Sequence, residues 1–322
     1  MIRRFALYLL VMAVASSAFA QDDGAARAFE LLLERNYDEA RVIAAPLAEA
    51  GDADAQHLLG FLYENGLGVP RDLQHAVDLY VKAARTGQPD AKFALGEPAL
   101  SGAGVKQSAE TAAGWYRLAA RQGHSRAKLR LGVMHTQGNG VESDMVRAVE
   151  YFGEAADAGE PEAQRNLAIA YLSGHGLPLN YAKAASWFEK AAETGDPVSH
   201  YNLGLLKQSD ALGAADKDAA ASHMREAAVA GFAPAMTALG LLIHDGVAAG
   251  EHPADWFERA AGAGDPQGRF LYAVALSEGD GRTADSAAAL AQLDALLADA
   301  SFIDPALRLQ AENLKLRLGR RR

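Results

Sequence analysis

Apolar positions recur along this chain at helical spacing, and the whole pattern returns every 36 residues. Leu is followed by Gly or Ala at Leu59-Gly60, Leu95-Gly96, Leu131-Gly132, Leu167-Ala168, Leu203-Gly204 and Leu239-Gly240, and a seventh copy follows at Tyr272-Ala273 after a step shortened to 33. Within the first copy Ala55, Leu59, Leu62 and Tyr63 share one helical face, which predicts an amphipathic helix A. A second series keeps the same rhythm: Ala84, Ala120, Ala156, Ala192 and Ala228, each followed three residues later by Gly, with large residues such as Trp115-Tyr116 and Trp187-Phe188 just upstream. Each unit therefore reads as helix A, a Gly-rich turn, helix B and a Gly stop. Self-similarity at such a period is the mark of stacked helical repeats.

Local chemistry supports this reading. Gly60 lies beside the apolar face of helix A, and Gly costs about 1 kcal/mol inside a helix, so its recurrence implies close approach of helix B. Gly66 and Gly68 end helix A, Asp72 is placed to cap helix B, and Gly87 is placed for a left-handed stop. Three breaks in rhythm stand out. Pro98 falls inside helix A of the second copy and should kink it, because the bond to Ala94 is lost. Gln208 to Lys217 replaces the Gly-x-Gly turn of the fifth copy, and the sixth turn loses three residues after Asp245-Gly246. Looser helix pairs at Ala25 to Arg35 with Tyr37 to Ala50, and at Ser286 to Ala300 with Pro305 to Leu318, read as caps that cover the ends of the array.

The stretch from Ala55 to Gly87, AQHLLGFLYENGLGVPRDLQHAVDLYVKAARTG, and that from Ala163 to Gly195, AQRNLAIAYLSGHGLPLNYAKAASWFEKAAETG, resemble the Sel1-like repeat family, a relative of the tetratricopeptide repeats. The resemblance covers roughly Gly51 to Gly281. It implies an all-α, right-handed superhelical α-solenoid of about seven helix-turn-helix units with helical caps. It also implies action through an extended surface, as in exported relatives that regulate envelope signalling or scaffold exopolysaccharide assembly.

Arg3-Arg4, the apolar run Phe5 to Ala15 and the small-x-small site Ala18-Phe19-Ala20 have the form of a signal peptide cleaved before Gln21. The expected organisation is a leader at 1–20, N-terminal capping helices at 21–50, the repeat array at 51–284, and C-terminal capping helices with a basic tail at 285–322. Phe5 to Ala20 is shorter than the ~20 residues a bilayer-spanning helix needs, so a periplasmic or secreted product without stable membrane insertion is expected. The chain has no Cys, which excludes disulfides, thiol chemistry and lipoprotein attachment. The net charge of −10 disfavours nucleic acid and anionic lipid as partners. Arg320-Arg321-Arg322 is the exception, either a solvated tail or a small electrostatic hook.

No catalytic, cofactor or metal signature emerges. The Gly-x-Gly turns follow no strand and precede no Gly-Lys-Ser/Thr. His244, Asp245 and His252 have no recognised metal spacing, and no Ser lies in Gly-x-Ser-x-Gly. Some Cys-rich members of the family are linked to penicillin binding through disulfide-bonded pairs, which this chain lacks.

What remains is a surface. By analogy with tetratricopeptide geometry, the face of helix A opposite Ala55-Leu59-Leu62 lines a groove. Its candidate partner-binding residues are His57, Phe61, Phe93, Leu129, Val133, Arg165, Ile169, Tyr201, Leu205, Leu241 and Phe270. Either a connected apolar groove takes a protein or peptide of the cell envelope, or winding of the array buries these positions between copies. The expected function is a non-enzymatic adaptor or scaffold without a cofactor. A cell-wall or β-lactam-directed hydrolase and a glycan-binding module are the alternatives.

Overall fold

The computed structural model describes residues 24–298 and 304–320. The leader at 1–20 and Arg321-Arg322 of the basic tail lie outside these. Among the described residues every regular element is helical. They form two compact units, one ending at Glu160 and one beginning at Pro161.

The first unit contains α1 (Gly24–Leu33), α2 (Tyr37–Glu49), α3 (Ala53–Asn65), α4 (Leu73–Arg85), α5 (Pro89–Ala94), α6 (Gly96–Ser101), α7 (Ala109–Ala120), α8 (Ser125–Gln137) and α9 (Met145–Asp157). The second contains α10 (Pro161–Ser173), α11 (Tyr181–Ala192), α12 (Pro197–Gln208), α13 (Lys217–Val229), α14 (Ala233–His244), α15 (Pro253–Gly262), α16 (Pro266–Glu278), α17 (Ser286–Ala298) and α18 (Pro305–Gly319). In both, consecutive helices pack against one another as stacked pairs.

The two helices of a copy are buried differently. Helix A of the first copy, α3, packs on α2 and on α4. It buries every residue from Ala55 to Gly60, and Leu62. Helix B, α4, buries one stripe, Ala76, Val77, Leu79, Tyr80, Ala83 and Ala84. The recurring Gly of helix A is explained by what it faces. A Cβ added at Gly60 would lie 2.7 Å from the Tyr80 ring, at Gly132 2.5 Å from Phe152, and at Gly240 2.6 Å from Phe257. The missing side chain lets an aromatic ring of helix B lie against the backbone of helix A, and overpacking that contact costs about 1–3 kcal/mol.

The turns follow the same economy. Gly66 ends α3 in the left-handed conformation, at φ +64°, and the Asp72 carboxylate accepts a hydrogen bond from the His75 amide at 2.9 Å to cap α4. Ser108, Asp144, Asn180 and Asp216 cap the later B helices in the same way. Helix A of the second copy breaks into α5 and α6, because Pro98 has no N–H for the Ala94 carbonyl. Gln208 to Lys217 contains an exposed 3₁₀ turn, Asp210–Leu212, in place of Gly-x-Gly.

Candidate partner-binding face

The candidate residues fall into two rows, each stepping from copy to copy. One runs through position 57 and its equivalents, the other through position 61. The structure separates the two.

In the first unit the row through position 57 turns inward. His57 is 5% exposed and Leu129 is 6% exposed, so neither contributes to an open face. Each lies on a helix A enclosed by the helices on both sides of it, and the analogy of an open groove fails there. His57 Nδ1 is buried without a hydrogen-bond partner, with the Tyr80 ring 5.6 Å away. Burial pushes the His57 imidazole down to about 4, against a smaller opposing pull from Asp90. Phe93 stacks on His124 at 4.5 Å, and the Arg126 guanidinium lies over its other neighbourhood at 5.1 Å from the ring centre. His124 in turn sits 3.2 Å from Asp90. Burial alone would raise Asp90, but the hydrogen bond with His124 and the proximity of His57 leave it below the usual carboxylate range.

The second unit shows why this row turns inward. Arg165 reaches Asp196 at 2.6 Å, and the Thr237 hydroxyl donates to Asp265 at 2.7 Å. Tyr201 meets Phe232 edge-on at 5.3 Å. Asp196, Phe232 and Asp265 are the N-cap residues of α12, α14 and α16, just as His124 is the N-cap residue of α8. In the second unit the row thus ties helix A to the start of the next at three successive copies, and Phe93 does the same in the first. Phe270 packs against the C-terminal core with Leu293 and Leu314. Asp196 and Asp265, immediately before their helices, carried a cap signal in the sequence, whereas Phe232 at the same place did not.

The row through position 61 faces outward. In the first unit it is interrupted: Phe61 and Val133 are half-buried, and between them stands Glu97, which accepts a hydrogen bond from the buried Tyr116 hydroxyl at 2.9 Å and pairs with Arg130 at 3.0 Å. In the second unit it is uninterrupted. Ile169 is 40% exposed, Leu205 41% and Leu241 38%, on three successive copies of helix A. Ser173 and Asn202 lie beside this row on the same helices, and Arg165 and His244 lie one turn from Ile169 and Leu241.

The Sel1 repeat model matches residues 53–87, 89–124, 125–160, 161–196 and 233–265, together more than half of the chain. The protein belongs to the Sel1 repeat family. Among solved structures it is similar to a Sel1 repeat protein from Oxalobacter formigenes, with 28% identity and a TM-score of 0.66 over 74% of this chain and 97% of that one. It is also similar to a protective antigen of uropathogenic Escherichia coli with an SLR fold, with 21% identity and a TM-score of 0.66 over 92% of this chain and 83% of that one. No curated protein sequence matches it. The family is one of protein-interaction scaffolds. Among the described residues no helix is long and apolar enough to cross a membrane.

Proposed function

We propose that this protein is a non-enzymatic adaptor of the cell envelope, exported by its leader and binding a protein partner through Ile169, Leu205 and Leu241. The observation that carries the reading is that these three aliphatic side chains stay about two-fifths exposed on successive copies, whereas the neighbouring row is absorbed by contacts between copies. Aliphatic side chains spaced along successive helices suit the apolar face of a partner helix or extended segment.

The test is photo-crosslinking from the exposed position 208, one turn after Leu205, in envelope preparations, compared between the otherwise native chain and Ile169→Asp, Leu205→Asp and Leu241→Asp variants. Loss of one shared crosslinked partner supports the reading, and equal recovery of it by all three variants sinks it. A mature chain beginning at Gln21 supports export. Turnover of nitrocefin or peptidoglycan by the purified protein would instead favour a hydrolase.

A further inference from the structure

The fifth copy, residues 197–232, is the internal copy that the family model leaves unmatched. Besides the replaced Gly-x-Gly turn and Met224 in place of a ring, it departs from its neighbours at one further contact. Where neighbouring copies place Gln56 with Leu79, Lys128 with Tyr151 and Gln164 with Trp187, this copy has His at both positions, His200 on α12 and His223 on α13. The two rings are tilted neighbours, 5.4 Å between centres, and their Nδ1 atoms lie 3.2 Å apart. Both residues are half-buried, so the rings are held by packing yet open to solvent on one side.

We propose that His200 and His223 form a two-imidazole chelate for a divalent transition metal ion, with Zn²⁺ as the representative ligand, through their facing Nδ1 atoms. Two nitrogen ligands at the usual ~2.0–2.1 Å from a tetrahedral metal lie about 3.3–3.4 Å apart, close to the separation seen here. Imidazole nitrogen suits Zn²⁺ and the later first-row ions. Among the described residues no group of three or more His, Asp or Glu side chains gathers in ligand geometry, so the proposed site has two protein ligands. Glu226, one turn after His223 on the same face, and Glu189 bring negative charge to the site, while Lys207 opposes it. Without metal, one ring donates Nδ1–H to the other, a contact that a bound cation replaces. No covalent or redox step is involved.

The experiment is calorimetric titration of the full mature chain with Zn²⁺ at pH 7.5, for the native protein and for a His200→Gln, His223→Trp double variant that restores the Gln164–Trp187 pair of the preceding copy. The native chain should show a site of one Zn²⁺ per chain, weakened at least about tenfold in the double variant. In parallel, Zn²⁺ should shift the NMR ring signals of His200 and His223 ahead of those of the exposed His75, His175, His244 and His252. If the double variant unfolds, His200→Gln alone, with its helical content verified by circular dichroism, gives the same comparison. Equal Zn²⁺ affinity in native and folded variant chains, or first shifts at the surface histidines, overturns the proposal.

Discussion

The two units are built from the same repeat, yet they differ in what the inter-helix contacts are made of. In the first, the Gly of helix A faces a rigid ring: Gly60 meets Tyr80, Gly96 meets Tyr116 and Gly132 meets Phe152. The Tyr80 and Tyr116 hydroxyls are anchored to Glu64 and Glu97. A buried imidazole, His57, adds a polar group with an unsatisfied nitrogen. In the second unit the fifth copy replaces the ring by Met224, two half-buried histidines meet at a neighbouring contact, and three aliphatic side chains stand outside. Both units keep internal polar ties, Glu97–Tyr116 in the first and Arg165–Asp196 in the second, but only the second leaves three aliphatic side chains of the outward-facing row exposed.

That contrast can be broken in a graded way. The largest effect is expected at the Gly-to-ring contact. A Cβ at position 96 falls 2.1 Å from the Tyr116 ring, which is fully buried and hydrogen-bonded, so Gly96→Ala should cost about 3 kcal/mol. The same change at Gly204 meets the flexible end of Met224 and should cost under about 1 kcal/mol. Urea unfolding midpoints of the two variants measure the difference, and equal losses would refute the distinction.

A comparable effect belongs to acid. His57 titrates at about 4 in the folded chain, below the value of about 6.5 it has when unfolded, so the unfolded state binds the proton first. The stability that depends on neutral His57 is complete above pH ~6.5 and declines as pH falls toward ~4, by up to about 3 kcal/mol. Asp90, held below its usual range, loses its contribution in the same direction at still lower pH. Amide protection factors, corrected for the intrinsic pH dependence of exchange, should therefore fall on acidification in the first unit more than in the second, and His57→Gln should flatten the difference.

Smaller still is the tie between copies. Asp196→Ala removes both the cap of α12 and the partner of Arg165, for about 1–2 kcal/mol. Thermal unfolding with an Arg165→Ala, Asp196→Ala double-mutant cycle separates the two contributions. At the bottom of the scale, Leu205→Asp should change stability by no more than about 0.5 kcal/mol while abolishing partner crosslinking. Val133→Asp, at the half-buried equivalent in the first unit, should cost more stability, and its melting temperature checks this.

How much of this was legible in the sequence depends on whether a position repeats. The Leu-Gly step revealed helix A, its partner helix and the reason for the Gly, since a glycine kept inside a helix needs a packing cause. Asp72 and Pro98 were equally readable because capping and the missing proline N–H act within a few residues. The two rows on helix A were not separable, because one turn of helix offers His57 and Phe61 as near neighbours. Only the position of the following copy decides which is covered. The link from Arg165 to Asp196 spans 31 residues, beyond any local rule. The facing histidines were visible only by comparing copies position by position, since each alone is an ordinary half-buried side chain.

The cap ties have one further consequence. Arg165 meets its cap 31 residues on, whereas Thr237, at the equivalent position, meets its cap after 28. In the later copy α14 and α15 are together three residues shorter than α10 and α11, while the turn between them is one residue longer, and the link is kept. Helix length is therefore negotiable as long as the cap returns to the same place, and the array measures distance in space rather than along the chain. A loop grafted after Gly246, in the exposed turn, should be carried as cargo.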